Sequence, residues 1–237
     1  MRHHRHRPAG SLRVLRCALF TVVGALSVAC APAARPLRGD VTRAVLPPTA
    51  LAERPQRLRF TWSYKDETFE AAGEGVVRTL RPDRARLDFF LRNGMAGGYA
   101  ILVGDSLEVP GIDLVRRFLP PVPLLWATLG RVALPAAPDT AARIDGDSLR
   151  VDLGTLRGHD ASRADGRAWR LVFAGTELAR VERIDDAKVT EWITRQRNPA
   201  GQWELRYVHV RAKRSLRIAV TDTTTVEGFD DAIWRRP

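Results

Sequence analysis

Apolar and polar residues alternate one by one along much of the chain between residues 57 and 225. The alternating segments are 58–64, 85–91, 99–103, 149–153, 169–173, 203–207 and 216–220. A period of two puts neighbouring side chains on opposite faces of a strand, so each strand would have one buried and one solvated face. Turn signals rich in Gly, Asp and Asn fall between the segments, at 94–98, 104–105, 145–147, 165–166 and 198–201. The pattern predicts a mainly β domain built as an antiparallel meander or barrel.

One segment, residues 112–129, breaks this alternation. Residues 112–119 carry apolar side chains at helical spacing, residues 120–123 contain three prolines, and residues 124–129 resume a helical pattern. Proline is tolerated in the first turn of a helix but not in its interior. The segment is therefore predicted to form two short helices joined by a proline-bent elbow. Such a helical insert must pack on the concave face or at one end of the sheet.

The first thirty residues have the composition of an export signal. Residues 1–16 are basic and contain no acid, and residues 17–28 form an uncharged apolar run of 12. At about 1.5 Å per helical residue this run is too short for a bilayer core of about 30 Å. Residues 1–29 are therefore predicted to be a signal peptide, cleaved between Ala29 and Cys30.

The residues before the cleavage point resemble the bacterial lipobox, Leu26-Ser27-Val28-Ala29-Cys30 in this chain. The favoured leucine stands one place upstream of its usual position, which Ser27 occupies here. The resemblance implies that Cys30 receives diacylglycerol and that its new amine is acylated. The alternative is an ordinary signal with a chance cysteine near the cut. Cys17 would be discarded with the signal, so the mature chain would have one cysteine and no internal disulfide.

These observations divide the chain into three predicted parts. Residues 1–29 are the signal and residues 30–56, rich in Pro and Ala, are the lipidated N-terminus and a tether. Residues 57–237 are the β domain. Because two or more acyl chains hold a protein stably at a membrane, the mature N-terminus is expected at a membrane surface.

The net charge of +11 does not by itself indicate a nucleic-acid partner. Five arginines lie in the signal, which leaves 33 basic and 27 acidic residues in the mature chain. The aromatic residues share the apolar faces of the strands, opposite the arginines, so a basic and aromatic binding platform is not predicted. The basic clusters are interpreted as a solvated sheet face or, alternatively, as a surface attracted to anionic lipid head groups.

No residue pattern indicates catalysis, a cofactor or a metal. His159 and His209 are fifty residues apart, and no cluster of His, Cys, Asp and Glu has ligand spacing. The serines at 106 and 148 follow Gly-Asp turns and do not form a nucleophile elbow. Gly73 and Gly75 resemble no phosphate loop and are interpreted as a bulge or as strong coiling of a strand. A non-enzymatic function is expected.

The order of elements resembles bacterial lipoprotein localisation factors of the LolA/LolB type and lipoproteins that share their fold. The resemblance covers roughly residues 57–225. It rests on the strand at 58–64, the strand entry Arg81-Pro82-Asp83-Arg84-Ala85-Arg86-Leu87, the hairpin ending at 104–107, the helical insert and the C-terminal hairpins. It implies an unclosed, strongly coiled antiparallel β-barrel with the helical insert on its concave face, and an apolar cavity that accepts lipoprotein acyl chains.

Because the chain is itself predicted to be lipidated, it resembles LolB, the outer-membrane acceptor, more than LolA. This implies a periplasmic carrier protein as a partner. Lipoproteins of the resembled systems are kept in the inner membrane mainly by Asp after the cysteine. Ala31 in that position therefore favours the outer membrane. The loop at 94–98, with Met95 at its tip, corresponds only by position to the loop with which the acceptor engages membrane.

Large apolar residues on the strands and in the elbow are the candidate cavity or lid residues. They are Trp62, Phe89, Leu119, Leu124, Leu125 and Trp126. The alternative for each is ordinary core packing. The leading interpretation is a module that binds lipid or lipoprotein acyl chains, with a part in lipoprotein sorting to the outer membrane. The alternative is a structural or assembly lipoprotein of the cell envelope whose cavity is filled by its own side chains.

Overall fold

The computed structural model describes residues 31–43, 45–92, 96–111, 113–135, 140–154 and 167–235. These ranges contain one antiparallel sheet of 13 strands. The strands are β1 (Asp40–Val41), β2 (Gln56–Lys65), β3 (Glu70–Leu80), β4 (Arg84–Leu91), β5 (Ala96–Val103), β6 (Ser106–Glu108), β7 (Thr140–Asp145), β8 (Ser148–Leu153), β9 (Arg167–Ala174), β10 (Glu177–Asp185), β11 (Lys188–Arg197), β12 (Trp203–His209) and β13 (Arg214–Thr225).

Most strands pair with their neighbours in sequence, and two long-range pairings, β1 with β7 and β13 with β2, join distant parts of the chain. The spatial order is β1-β7-β8-β9-β10-β11-β12-β13-β2-β3-β4-β5-β6. Strand β13 lies against β2 from Ser215 opposite Lys65 to Thr225 opposite Gln56. The outermost strands, β1 and β6, do not pair with each other. The prediction of an unclosed, coiled antiparallel barrel is therefore confirmed.

The helical insert has the two short helices that the sequence predicts. Helix α1 spans Asp113–Phe118 and α2 spans Val122–Thr128, with prolines between them and in the first turn of α2. Helix α1 contacts β5 and β13, and α2 contacts β10 and β11, so the insert bridges the concave face. A short 3₁₀-helix, Asp231–Trp234, packs on β4 and β5. Ile112 lies outside the described residues.

An aromatic cluster joins α1 to the concave face. Phe118 stacks on Trp62 with ring centroids 5.0 Å apart, and it meets Phe89 edge to face, also at 5.0 Å. Tyr64 lies 5.6 Å from Phe118. Each such pair is worth about 0.5–1.5 kcal/mol beyond the area that it buries. The insert is therefore held by the same core that holds the sheet together.

Two glycines allow β3 to coil sharply against its neighbours. Gly73 pairs with Trp62 and Gly75 with Phe60, and the register shows no shift along β3. A Cβ on Gly75 would lie 2.3 Å from the Phe60 ring, and a Cβ on Gly73 would lie 1.8 Å from the Phe90 carbonyl oxygen. Of the two interpretations of these glycines, coiling is observed and a bulge is not.

The segment that precedes the domain is bound to it. Ala34 N donates to Ala187 O (2.8 Å), and Val189 N donates to Pro32 O (2.9 Å). Arg170 donates to Arg35 O (2.7 Å) while it also pairs with Asp152. Strand β1 then pairs with β7. Residues 31–41 therefore lie along the sheet, held by backbone hydrogen bonds that need no apolar pattern.

The hairpin turns lie at two opposite ends of the sheet. The β2–β3, β10–β11 and β12–β13 turns share one end, which residues 31–34 also reach, and we call it the proximal end. The β3–β4 and β9–β10 turns and the start of β12 lie at the other end, which we call the distal end. A ten-residue strand such as β2 separates the two ends by about 30 Å.

Candidate functional site

The six candidate cavity residues are all buried between the sheet and the insert. None is more than 5% exposed. Trp62 and Phe89 meet around Phe118, and the Trp126 indole nitrogen donates to Gly104 O (2.8 Å). Leu119, Leu124 and Leu125 belong to the same core cluster. In this conformation the six side chains pack as core, and the interior pocket of the molecule lies beside them.

The interior pocket has a volume of about 110 Å³ and lies at the distal end of the concave face. Strand side chains, the end of α2 and the segment at 51–52 surround it. Its apolar lining consists of Leu51, Ala52, Leu58, Phe60, Val77, Leu87, Leu129, Trp203, Leu205, Ile218 and Val220. Ligand pockets for small molecules usually enclose about 300–1,000 Å³. A long acyl chain would therefore need the pocket to widen.

The pocket exists because α2 ends before it covers the distal part of the sheet. The helix stops at Thr128, and the chain turns at Gly130, whose φ is +82°. The alternating residues of β2 and β13 continue past this point with their apolar side chains on the concave face. Leu51 closes the gap from outside, and its carbonyl accepts a hydrogen bond from Arg81 (2.7 Å). The space is thus covered by a short irregular segment.

One charged side chain, Arg195, lines this apolar pocket. It lies on the concave side of β11, opposite Leu205, and its guanidinium is 4.0 Å from the centroid of the Trp203 ring. One terminal nitrogen donates to Leu178 O (3.2 Å), whereas the buried Nε has no hydrogen-bond partner among the described residues. Burial lowers the pKa of Arg195 to about 10. Arg195 was not a predicted site residue, because residues 188–197 do not alternate clearly enough to be predicted as a strand with an inward face.

A second polar group of residues fixes α1 at the proximal end, and we call it the latch. Asp66 accepts hydrogen bonds from the Tyr64 hydroxyl (2.7 Å) and from Arg117 Nε (2.8 Å). Arg117 also donates to the Thr68 hydroxyl (2.6 Å). The Arg117 guanidinium and these hydrogen bonds hold the pKa of the Asp66 carboxyl well below its usual value. Its charge, and with it the latch, is therefore kept throughout the ordinary pH range.

The latch continues into the other half of the sheet. Arg214 of β13 donates to the Arg117 carbonyl (3.0 Å) and to the Tyr207 hydroxyl (3.3 Å). Tyr207 in turn donates to Glu191 (2.6 Å), and burial raises the pKa of its hydroxyl. The end of α1 is thus bonded to the β2–β3 turn on one side and to β13 on the other. These polar contacts of α1, and the hydrogen bond from Trp126 of α2 to Gly104 O, must break if the insert is to move.

A larger groove of about 840 Å³ lies on the outer face of the sheet. Polar side chains such as Thr61, Ser63, Glu74, Arg206 and Arg217 supply much of its lining. It is broadly open to solvent. A groove of this kind does not bury an acyl chain, so the interior pocket is the better candidate site for an apolar ligand.

The described part of the chain offers no metal centre. It contains no group of three or more His, Cys, Asp and Glu side chains placed to hold a metal ion. His209 accepts a hydrogen bond from Ala212 N (3.2 Å), and burial lowers its pKa. His159, the cleavage pair Ala29 and Cys30, and Met95 lie outside the described residues. Within those residues, no helix is long and apolar enough to cross a membrane.

Comparison with known proteins finds similar solved structures but no sequence family. No protein-family model and no curated protein matches the chain. A LolA superfamily protein from Nitrosomonas europaea aligns over 79% of this chain and 93% of its own, with 8% identity and a TM-score of 0.49. A DUF1329 family protein from Desulfovibrio piger aligns over 78% and 90%, with 8% identity and a TM-score of 0.45.

A domain from Vibrio parahaemolyticus, whose name refers to outer membrane lipoprotein sorting, is also similar. It aligns over 78% of this chain and 91% of its own, with 8% identity and a TM-score of 0.47. At 8% identity the likeness concerns the course of the chain and not the chemistry of a site.

Proposed function

We propose that the chain is an exported lipoprotein, held at the outer membrane through acylated Cys30, whose concave face binds acyl chains of lipids or lipoproteins. The observation that carries this proposal is the apolar pocket between an unclosed sheet and a separate helical insert. An acyl chain needs only shape and apolar surface from its site. Burying 16 carbons would contribute on the order of 10 kcal/mol before ordering costs, at about 0.8 kcal/mol per CH₂.

In this proposal the insert is a lid that opens to enlarge the pocket. Leu124, Leu125 and Trp126 of α2 would then become the inner wall of the cavity, together with Trp62 and Phe89. The two helices are joined only by the proline elbow at 119–121, and α1 is fixed by polar contacts at one end. Movement of the insert exposes the aromatic cluster, so an incoming acyl chain would replace contacts that Phe118 makes in the closed form.

The second candidate function is a structural or assembly lipoprotein of the envelope without a ligand. The volume of about 110 Å³ favours it, because the concave face is largely filled by the protein's own side chains. The two candidates differ in whether the insert opens. Neither requires catalysis.

Native mass spectrometry distinguishes the two candidates. The mature chain, residues 30–237, would be produced with Cys30→Ala and sprayed directly and after incubation with a fluorescent fatty acid. We expect co-purifying lipid, or saturable uptake of the fatty acid in a 1:1 ratio. A protein that carries no lipid and takes up none, while its circular dichroism spectrum remains that of a folded β protein, would support the structural role instead.

Removing the latch should make the insert open more readily. In Arg117→Met the hydrogen bonds to Asp66 and Thr68 are lost, while the methylene part of the side chain is largely retained. We expect several-fold faster uptake of fluorescent fatty acid and faster amide exchange in α1. Arg116→Met is the matched control, because Arg116 is exposed on the same helix and makes only a 3.4 Å contact to Val109 O. Equal uptake rates in the two variants would contradict the lid.

Acylation of Cys30 would orient the domain on the membrane. Ala31 follows Cys30 directly, and residues 32–34 are bonded to the β10–β11 hairpin, so the acyl chains would emerge at the proximal end. The pocket lies at the distal end, about 30 Å away, and would face the periplasm. In that orientation a soluble carrier protein could reach the pocket without entering the bilayer.

The anchor is tested by changing the cysteine itself. We expect Cys30→Ala to release the protein from the membrane fraction and to remove the mass added by acylation. Cys17→Ala is the matched control, because residue 17 lies in the predicted signal and should affect neither fractionation nor mature mass. A Cys30→Ala protein of unchanged mass that still sediments with membranes would overturn the anchor.

A further inference from the structure

The charged side chain in the apolar pocket points to the class of lipid that enters it. We propose that Arg195 is an anion subsite that holds the negatively charged head group, a carboxylate or a phosphate, of a single-chain lipid. This inference rests on the proposed acyl-binding function and makes it more specific. The acyl chains of lipoproteins are attached through uncharged ester, thioether and amide links. Arg195 therefore favours a free anionic lipid as the ligand of this pocket.

Arg195 has no counter-ion in the part of the chain that the structure describes. Among the described residues, no carboxylate lies within 4.0 Å of its guanidinium. The negative charge of Glu177 acts on Arg195 from a distance, and the Glu177 carboxylate accepts a hydrogen bond from Arg197 (2.9 Å) instead. Buried charges in proteins are generally paired with a partner of opposite sign or bound to a ligand. Arg195 is half-buried with a fully buried Nε, so without a carboxylate beside it an anionic ligand would supply the missing partner.

The surroundings of the Arg195 guanidinium hold it in a defined position. The guanidinium is fixed between the Trp203 ring, 4.0 Å from its centroid, and Gly130, where an added Cβ would lie 2.9 Å from its terminal nitrogen. One terminal nitrogen donates to Leu178 O, and Nε has no hydrogen-bond partner among the described residues, so the guanidinium keeps unused donors at the edge of the pocket. A guanidinium presents its donors in a planar fork that suits carboxylate and phosphate groups. The apolar residues of β2 and β13 line the same space for the hydrocarbon chain.

Arg197 offers a matched control on the same strand. Its guanidinium contacts the same Trp203 ring, at 4.2 Å, but it is exposed and paired with Glu177. It does not line the pocket. Arg195→Met and Arg197→Met therefore remove the same charge from neighbouring positions, and only the first removes it from the pocket.

The test compares three 16-carbon probes, hexadecanoate, hexadecyl phosphate and hexadecanol, bound to the mature chain with Cys30→Ala. We expect an anionic probe to bind about 10- to 100-fold more tightly than hexadecanol, as for a hydrogen bond to a charged group. Arg195→Met should remove this preference and Arg197→Met should keep it. The better of the two anions identifies the head group. Equal binding of all three probes, or a preference that survives Arg195→Met, would overturn the subsite and leave acyl binding intact.

A short probe separates failure of the subsite from failure of acyl binding. Hexanoate and hexanol would be added while the Arg195 Nε–H resonance is followed by NMR, assigned by its absence in Arg195→Lys. We expect hexanoate to shift this resonance and hexanol to leave it in place. A shift with hexanoate supports the subsite even if no 16-carbon probe binds. Absence of binding by every 16-carbon probe would overturn the proposed acyl-binding function and not the subsite. No shift with hexanoate would overturn the subsite.

Discussion

Leu125→Glu is expected to destabilise the protein by several kcal/mol and to leave much of it unfolded. Leu125 lies in α2 and is 1% exposed, within the core formed by the insert and the concave face. A carboxylate there would lack both solvent and a partner, and burying a charge in that way is among the most costly single changes. Since a whole domain has only about 5–15 kcal/mol of net stability, the loss would be a large part of it.

The measurement is urea unfolding followed by tryptophan fluorescence, with two control variants. Leu125→Met keeps volume and polarity and should cost less than about 1.5 kcal/mol. Leu46→Glu makes the same chemical change at a position that is 40% exposed, and it should stay within about 0.5 kcal/mol of the parent. If Leu125→Glu instead leaves the sheet stable and only frees α1 and α2 to exchange their amides, the packing of α2 on the concave face contributes little to the stability of the closed form.

The strands that alternate strictly could be predicted from sequence because alternation reports burial directly, whereas strands such as β7, β10 and β11 were not predicted. Polar and apolar side chains alternate strictly along residues 58–64, and the structure places Phe60, Trp62 and Tyr64 on the concave face. The prolines likewise marked the elbow, since they end one helix and begin the next. In both cases the local sequence carries the information that decides the local structure.

Which face of a strand points to the core is harder to predict when both faces are apolar. In β5 the pattern suggested Tyr99, Ile101 and Val103 as the inward set, but Ala100 and Leu102 face the core. Tyr99 lies under Arg86 on the outer face, and the C-terminal 3₁₀-helix packs over β4 and β5. These covering groups come from distant parts of the chain. A short apolar run cannot show which face they will cover.

The site was predicted only in part, for a similar reason. The sequence indicated an apolar concave face beneath a helical insert, and the structure contains both the apolar face and the insert. The position of the pocket depends on where α2 ends relative to β2 and β13, which is a matter of three-dimensional packing. The latch joins residues 51 positions apart, Asp66 and Arg117, and no spacing rule relates them. Arg195 could not be assigned to the pocket either, because β11 is not among the segments that the alternation predicted.

The sharp coiling of the sheet brings β3 close to β4 at Gly73, so a larger residue at this position should destabilise the protein. We expect Gly73→Ala to lower the free energy of unfolding by about 1–3 kcal/mol, the usual cost of forcing extra volume into a packed interior. An added Cβ would lie 1.8 Å from the Phe90 carbonyl oxygen and 2.9 Å from its carbonyl carbon. These are backbone atoms, so no flexible side chain can move aside, and β3 and β4 would have to separate.

Chemical denaturation of Gly73→Ala and of a matched control would measure this effect. Gly228→Ala adds the same methyl group where no atom lies within 4 Å, so it should change stability little. Separation of β3 from β4 would also move Trp62, whose indole nitrogen donates to Glu74 O (2.9 Å), and thereby loosen its stacking on Phe118. The variant should therefore show faster amide exchange in α1 as well as lower stability. Equal stability of the two variants would mean that β3 can relax without its close approach to β4, and that the glycine is not what permits the coiling.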